Sequence, residues 1–380
     1  MQSDEDFLRT KFVVAFVLPE QLSKGRLHFA EVVAVTLLLD RVLILPRVGG
    51  SQINMFSPLP FCAYFDSKKL AGTVRWVTYE FHLQTSLRLG KKPNVHYLCF
   101  AEGDNPCTKF GKMQRTVIPL LTITHGSLSN TKNQFRVLSS CAEKLNMKCL
   151  AVNEERIGVF RQEHFSLLSN DDLVVVNVVT PDVTMRHLHH ALFVKALNSI
   201  AYAPQVIAKA KSIANSLGPK FGAVHLRFEW MCLESIKSEI VEHRVHACGN
   251  EGRKYLERMT EKLGLSRLYV ATDFSPITLK PYKLWSASQN CTKIVESIVE
   301  DLNSKLNLTT WEALEPLMVD VDYGLQGIVD KLVCEEASTF IGGPKQCGGE
   351  HSFDREVVEG RLSRGSEPPV FRWLHNQENM

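Results

Sequence analysis

The chain has 380 residues, 44% of them hydrophobic and 22% charged, and its formal net charge is +3. This length favours two domains, and the composition is that of a folded globular protein rather than a disordered one. The small net charge, with no long run of like charges, argues against nucleic-acid binding. No apolar run approaches the ~20 residues that cross a bilayer, so no membrane-spanning segment is predicted.

The first half of the chain is predicted to begin with a βαβ unit. A buried strand, an apolar helix and a second strand stopped by proline account for residues 12–18, 27–39 and 42–45. Gly25 and Arg26 then lie in the turn before the helix, where unpaired backbone donors favour anions. The alternative is that Gly25 only permits a tight turn.

Two further strands, at 147–152 and 173–179, are expected to complete the first sheet. A helix is predicted at 184–201, and it places His187 and His190 on one face at a spacing that suits a metal ion. With no third ligand nearby, a solvated helix face explains these histidines better. The first domain is predicted to cover residues 1–203.

The second half of the chain, residues 204–380, is predicted to form another α/β domain. Helices are expected at 204–217, 251–263, 293–306, 323–334 and 353–361, and strands at 222–226, 267–272 and 338–343. In open α/β sheets, ligands bind beyond the carboxyl ends of the strands. Polar residues that follow these strands are therefore candidate site residues.

The strand that ends at Leu226 leads into the first candidate group. Alternation along the strand puts His225 and Arg227 on one face, with Glu229 on the same face if the strand is extended. The guanidinium of Arg227 suits a phosphate or a carboxylate. The alternative is a surface ion pair between Arg227 and Glu229 that closes the strand.

Two more candidate groups follow the other strands. Thr272 and Asp273 come at the end of the strand 267–272, in the same predicted crevice as Arg227. The glycine-rich loop 342–349 precedes Ser352, which either caps the next helix or offers donors to a phosphate as well. Asp354, in the first turn of that helix, is expected to complement the helix dipole.

Ten cysteines occur, none of them in a Cys-x-x-Cys pair, so structural zinc is not predicted. Their even number and local spacings suit disulfides in the lumen of the secretory pathway, either the endoplasmic reticulum or the Golgi. Sequons at Asn290 and Asn307 favour the same compartment. The acidic first residues do not resemble a signal peptide, so the alternatives are a cytosolic protein or a targeting segment upstream of this sequence.

The ends of the three strands, taken in order, resemble the donor half of protein O-fucosyltransferases. The matching pieces are His-Leu-Arg-Phe-Glu at 225–229, the strand 268–273 that ends in Thr-Asp, and Phe-Ile-Gly at 340–342 before Ser-Phe at 352–353. Gly25-Arg26, the apolar helix and Leu-Ile-Leu-Pro at 43–46 resemble the family's amino-terminal glycine loop, helix and strand. The run at 225–229 is similar to the plant and fungal branch of this family.

The resemblance implies an α/β, GT-B-like architecture, in which two Rossmann-like domains face each other across a cleft. Residues 1–203 would form the acceptor side, and residues 204–380 would hold the nucleotide sugar. The implied activity is inverting transfer of fucose from GDP-fucose to a hydroxyl of a protein or glycan acceptor. Neither a metal ion nor another cofactor is implied.

The resemblance also implies roles for individual residues. Arg227 would bind the diphosphate and stabilise the leaving charge, His225 would line the nucleotide site, and Asp273 would contact the guanine or ribose region. The other residues implied to contact GDP-fucose are Gly25, Arg26, Thr272, Ser352 and Phe353.

Two positions depart from the family pattern. Where the family commonly has an asparagine after its first loop, this chain has Phe29, which makes no amide hydrogen bonds. Where an acid is expected four residues beyond the arginine, it has Met231. Glu229, Glu234 or an acceptor-assisted route therefore remain as sources of catalytic base, and Glu229 is the candidate catalytic residue.

Two other functions are compatible with the sequence. Phe29 and Met231 suit a transferase-like protein that binds a nucleotide, glycan or protein partner without catalysis. A dinucleotide-dependent dehydrogenase is less well supported, because no Gly-x-Gly-x-x-Gly run follows the early strand.

Overall fold

The computed structural model of the chain divides into two compact units, Met1–Ala203 and Pro204–Met380. The boundary predicted from the sequence lies at the same position. The structure describes residues 3–15, 22–50, 52–54, 57–90, 95–100, 148–152, 172–178, 190–228, 238–275, 280–281, 289–306, 308–310, 314, 322–342, 352–364 and 370–372.

A six-stranded parallel sheet forms the centre of the first unit. In order of pairing, its strands are β5 (Trp76–Thr78), β2 (Val42–Leu45), β1 (Phe12–Ala15), β8 (Leu173–Val178), β6 (Val95–Phe100) and β7 (Lys148–Val152). Every residue of β1 and β2 is buried, as their continuous apolar runs predict for parallel strands covered on both faces. The four strands predicted for this half are confirmed over their described residues.

Helices and a hairpin complete the first unit. The helices are α1 (Asp4–Arg9), α2 (Leu22–Leu38), α3 (Ser67–Ala71), α4 (Tyr79–Leu89) and α5 (His190–Ser199), and the antiparallel hairpin pairs β3 (Arg47–Gly49) with β4 (Gln52–Asn54). The helix predicted at 184–201 corresponds to α5. His187 lies outside the described residues.

The predicted turn at Gly25 and Arg26 is wrong, because both residues lie inside α2. A glycine in a helix costs about 1 kcal/mol relative to alanine. The run from Phe29 to Val35 offsets this cost, since its apolar side chains are 0% exposed. Burial of these side chains stabilises the helix enough for it to include Gly25 and to begin at Leu22.

A five-stranded parallel sheet forms the centre of the second unit. In order of pairing, its strands are β13 (Leu308–Thr309), β10 (Arg267–Thr272), β9 (Phe221–Leu226), β14 (Thr339–Gly342) and β15 (Val370–Arg372). All six residues of the central strand β9 are buried. The two edge strands were not predicted, because runs of two and three residues carry no clear alternation.

Helices surround this sheet, and a short antiparallel pair follows β10. The helices are α6 (Pro204–Leu217), α7 (Ser238–Leu263), α8 (Gln289–Lys305), α9 (Tyr323–Glu336) and α10 (Ser352–Ser363), and the pair is β11 (Phe274–Ser275) with β12 (Lys280–Pro281). All five helices were predicted. The prediction for α7 was too short, because that helix continues through Gly249.

The close approach of α7 and α8 explains why a glycine is tolerated there. A Cβ atom at Gly249 would lie 2.5 Å from Cδ1 of Ile298, closer than real carbon atoms come. Cys248 and Cys291, in the same apolar core between the two helices, are each disulfide-bonded. Cys334 is a free thiol and fully buried.

Candidate active site

The carboxyl ends of β9, β10 and β14 lie side by side at one edge of the second sheet. His225 pairs with Ala271 on one side and with Gly342 on the other, and Leu226 pairs with Thr272. Because these strands are parallel, the residues that follow them emerge at the same edge. The structure therefore brings Arg227 together with Thr272 and Asp273, as the sequence predicts.

Asp273 and Thr272 shape the backbone at this edge. Oδ1 of Asp273 accepts a hydrogen bond from the backbone N–H of Phe228 at 2.9 Å. The hydroxyl of Thr272 accepts one from the N–H of Phe274 at 3.2 Å. The first bond joins the ends of β9 and β10, and it fixes the chain directly after Arg227.

Arg227 itself is half-buried and has no protein partner in the described part of the chain. It makes no hydrogen bond or ion pair with any residue that the structure describes. Glu229 lies outside those residues, so neither its predicted ion pair with Arg227 nor its catalytic role is tested. A guanidinium at a sheet edge whose donors meet no described residue suits a phosphate or a carboxylate.

His225 is held by two residues of α10. Its Nδ1 is 2.8 Å from Oδ1 of Asp354, and its ring stacks on Phe353 with 4.1 Å between the ring centroids. His225 and Asp354 are 9% and 6% exposed. Asp354 lies in the first turn of α10, as expected for a residue that complements the helix dipole, but its contact with His225, 129 positions away, was not predicted.

Ser352 is the first residue of α10, not the residue before it that a capping role requires. Its predicted contact with GDP-fucose stays a prediction, as does that of Phe353.

A polar network between α9 and α10 fixes the position of the helix that carries Phe353 and Asp354. Lys331 forms an ion pair with Glu356, and Arg364 bonds with Glu335 at 2.7 Å. The approach is close, because a Cβ atom at Gly360 would lie 2.5 Å from Cδ of Glu335. In the sequence these residues are typical of solvated helix faces, and nothing there indicated their pairing.

Arg361 contributes most to this network. Its guanidinium is 3% exposed and donates to carbonyl groups at the end of α9 and just beyond it, including those of Cys334 at 3.2 Å and Ala337. The last carbonyls of a helix have no partner within the helix, so a buried arginine here satisfies groups that would otherwise be unpaired. Burial lowers the pKa of Arg361 from its usual value.

A buried acid lies on α9, next to β10. Asp330 is 3% exposed, and its Oδ1 accepts a hydrogen bond from the hydroxyl of Tyr269 at 2.5 Å. Burial raises the pKa of Asp330 to about 7, although hydrogen bonds from Tyr269 and Gln326 act in the opposite direction. The carboxyl group is thus largely neutral below pH 7 and does not require a buried counter-ion.

In the first unit, the structure places Arg26 in an internal contact. Its Nε donates to the carbonyl of Ile200 at 3.1 Å, and its guanidinium lies 5.7 Å from the ring centroid of Tyr202. Phe29 is fully buried and packs on Phe61 with 5.2 Å between ring centroids. The contacts predicted between GDP-fucose and Gly25 or Arg26 stay predictions.

The family of the chain follows from comparison with known proteins. The family model for GDP-fucose protein O-fucosyltransferases matches residues 21–359. The chain belongs to this family. It is therefore a glycosyltransferase with the α/β, GT-B-like fold class predicted from the sequence.

Solved fucosyltransferase structures are also similar to the chain. POFUT1 in complex with GDP-fucose is 12% identical, with 96% of this chain and 97% of that chain covered and a TM-score of 0.47. The fucosyltransferase NodZ from Bradyrhizobium is 11% identical, with 92% and 93% covered and a TM-score of 0.40. No curated protein matches the chain. The assignment to the O-fucosyltransferase family rests on the family model.

In this O-fucosyltransferase, the motifs that resemble the donor half of the family lie in the second unit. Among the described residues, no group of three His, Cys, Asp or Glu side chains is arranged to hold a metal ion. The helices described are all too short or too polar to cross a membrane. Met231, the second departure from the family pattern, lies outside the described residues.

Proposed function

We propose that this O-fucosyltransferase is an inverting enzyme that transfers fucose from GDP-fucose to a hydroxyl of a protein or glycan acceptor, without a metal ion. The observation that carries the proposal is Arg227: a half-buried guanidinium without a protein partner in the described chain, at the carboxyl end of the central strand β9. His225, two residues before Arg227, and Asp273, just beyond the neighbouring strand β10, are each anchored by a hydrogen bond.

The chemistry assigns Arg227 to the leaving group. In an inverting transfer, the acceptor oxygen forms a bond to the anomeric carbon of fucose as the bond from that carbon to the diphosphate oxygen breaks. The bonding electrons leave with the diphosphate, so its negative charge grows in the transition state. A fixed guanidinium beside it stabilises that charge, and losing one such contact typically lowers the rate about a hundredfold or more.

The acceptor hydroxyl loses its proton during the same step. Glu229, two residues beyond Arg227, is the proposed base. The other proposed contacts to GDP-fucose are those of His225, Thr272, Asp273, Ser352 and Phe353, with Gly25 and Arg26 in the first unit. The anchoring of His225 by Asp354 and of the 227–228 segment by Asp273 supports this placement.

The test is donor turnover by the Arg227→Ala variant. We expect release of GDP and transfer of fucose to fall about a hundredfold, while the thermal midpoint stays near that of the wild type. Arg267→Ala is the matched control, because Arg267 is exposed at the opposite end of β10 and only reaches the carbonyl of Ser216 at 3.4 Å. Undiminished turnover in Arg227→Ala would contradict the assignment.

A binding protein without transferase activity is the second candidate, and the burial of Phe29 favours it. This side chain is 0% exposed and packs on Phe61, so the position offers no polar group to an acceptor. Binding of GDP without fucose transfer to any of a panel of protein and glycan acceptors would support this candidate. Fucose transfer by the wild type would exclude it.

We place the enzyme in the lumen of the secretory pathway, in the endoplasmic reticulum or the Golgi. Disulfides persist in oxidising compartments, and Cys248 and Cys291 are each disulfide-bonded. Both lie in the core of the second unit, with 5% and 1% exposure, so reduction would act on the fold of the proposed donor site. Mass spectrometry of the non-reduced protein purified from its own cells tests this placement, since alkylation of both cysteines there would contradict it.

A further inference from the structure

The contact between His225 and Asp354 has chemistry beyond simple packing. A buried imidazole bonded at Nδ1 to a carboxylate is held in one orientation, and its other nitrogen, Nε2, is left for a second partner. No residue in the described part of the chain fills that role. The ring is fixed further by Phe353, whose plane is 21° from that of the imidazole.

Asp354 is itself incompletely satisfied. Its Oδ1 contacts His225, but its Oδ2 is buried and has no hydrogen-bond partner among the described residues. The carboxyl group packs over Gly342 of β14, since a Cβ atom there would lie 3.8 Å from Cγ of Asp354. A buried carboxylate with so few partners interacts strongly with any positive charge beside it.

Among the described residues, no lysine or arginine forms an ion pair with Asp354. On α9, the Cys334 thiol interacts electrostatically with Asp354, and its pKa is raised well above its usual value by burial and further by Asp330 and Asp354. From β14, Gly342 has no side chain. Just beyond β10, Asp273 accepts a hydrogen bond from the N–H of Phe228. Arg227 follows on β9, at the same sheet edge.

We infer that the His225–Asp354 pair takes up a proton when the diphosphate of the donor binds. The protonated imidazole of His225 is then a second positive charge beside Arg227, and Asp354 is the positioning residue that holds it. This inference rests on the proposed function. With the diphosphate at Nε2 and Asp354 at Nδ1, the imidazole lies between two anions, and each stabilises its protonated form. The proton comes from solvent, and no bond between heavy atoms is made or broken.

The sequence order supports the same placement. His225 and Arg227 are two positions apart on β9, so alternation directs them to the same side at the edge where the strand ends. Asp354 lies in the first turn of α10, where backbone donors favour an anion. Asp354 contacts Nδ1 of His225, and Nε2 of the same imidazole is the atom that would meet the ligand.

The test is calorimetric titration of GDP into the full chain at pH 7.5, in two buffers with different enthalpies of ionisation. The dependence of the heat on the buffer gives the protons taken up per GDP bound. We expect net uptake by the wild type and little or none by Asp354→Asn. The proton balance of GDP itself is common to all variants and cancels in their comparison.

Asp330→Asn is the matched control, because Asp330 is also a buried acid but lies beside Tyr269, and burial raises its pKa to about 7. This variant should take up as many protons per GDP as the wild type.

We also expect GDP to bind about tenfold more weakly to Asp354→Asn than to the wild type at pH 6.5, with a smaller difference in affinity at pH 8.5. A purely structural role for Asp354 would weaken binding equally at both pH values. If Asp354→Asn does not fold, His225→Asn provides the same comparison.

The outcomes separate this inference from the proposed function. Binding of GDP with no proton uptake, or with full uptake by Asp354→Asn, would overturn the inference and leave the proposed function standing. Binding with uptake lost in Asp354→Asn, but without fucose transfer, would support the inference and overturn the transfer activity. Absence of GDP binding by the wild type would overturn both.

Discussion

Asp273, the residue after β10, accepts a hydrogen bond from the backbone N–H of Phe228, 45 residues earlier in the chain, at 2.9 Å. The bond joins the ends of two neighbouring strands immediately after Arg227. It makes Asp273 a support for the backbone of the proposed donor site, whatever contacts the side chain also makes with a nucleotide. This arrangement gives the first prediction.

Asp273→Ala should lower stability by about 1–2 kcal/mol, because the N–H of Phe228 loses its acceptor. Fucose transfer should fall as well, since Arg227 is then held less firmly. Asp273→Asn keeps an oxygen that can accept the bond, so it should recover most of the stability. Urea unfolding of the three proteins measures the effect. Equal losses of stability in Asp273→Ala and Asp273→Asn would show that the charge of Asp273, rather than this hydrogen bond, stabilises the fold.

The buried acid Asp330 should make stability depend on pH. Its pKa is about 7 in the folded protein, above its ordinary value of 3.8, so between these values the folded state holds a proton that the unfolded state has released. The resulting stabilisation is full below pH 3.8 and is lost as pH rises to about 7. The shift corresponds to about 4 kcal/mol at most.

Asp330→Asn should remove this dependence. As pH rises from 5 to 8, the free energy of unfolding of the variant should therefore increase relative to that of the wild type. Urea unfolding at several pH values measures it. Asp301→Asn is the control, because the side chain of Asp301 is 40% exposed and its pKa is lowered, chiefly by the hydrogen bond with Lys305. The pKa shift of Asp301 is opposite in sign to that of Asp330, so the stabilisation that Asp301 contributes is lost as pH falls. A difference in the free energy of unfolding between Asp330→Asn and the wild type that stays constant across this pH range would contradict the prediction.

Arg361→Met should be strongly destabilising. The substitution leaves the carbonyls of Cys334 and Ala337 buried without their donor, at a cost of about 3 kcal/mol or more in total. Arg355→Met is the matched control, because Arg355 is exposed on the same helix and should change stability by less than about 0.5 kcal/mol. Thermal unfolding of both variants measures the difference, and equal midpoints would show that the carbonyls find other partners.

Two helical glycines should respond to alanine with opposite signs. Gly249→Ala should destabilise the protein by about 1–3 kcal/mol, because the new methyl group would overlap Ile298, which comes as close as 2.5 Å. Gly327→Ala in α9 should stabilise it by about 0.5–1 kcal/mol, because nothing lies within 4 Å of the added carbon. Denaturant unfolding tests both. The same sign for the two variants would mean that packing at Gly249 does not decide the outcome.

The sequence by itself determined the alternation of helices and strands, the division at residue 203 and the strand ends that carry His225, Arg227 and Asp273. These features depend on local patterns: runs of buried apolar residues long enough for one strand, helical spacing, and polar residues where a strand stops. Motifs in the same places also identified the family. Such signals are carried by residues close together in the chain, so they can be read before the fold is known.

Only the tertiary structure decided which distant groups meet. Asp354 and Arg361 resemble ordinary charged residues of a helix, yet the first holds His225 and the second satisfies the carbonyls at the end of α9. The start of α2 at Leu22 was likewise set by burial of its apolar face, which outweighs the low helix propensity of Gly25. The physical reason is that burial and pairing depend on how elements pack, and local sequence patterns do not encode that packing.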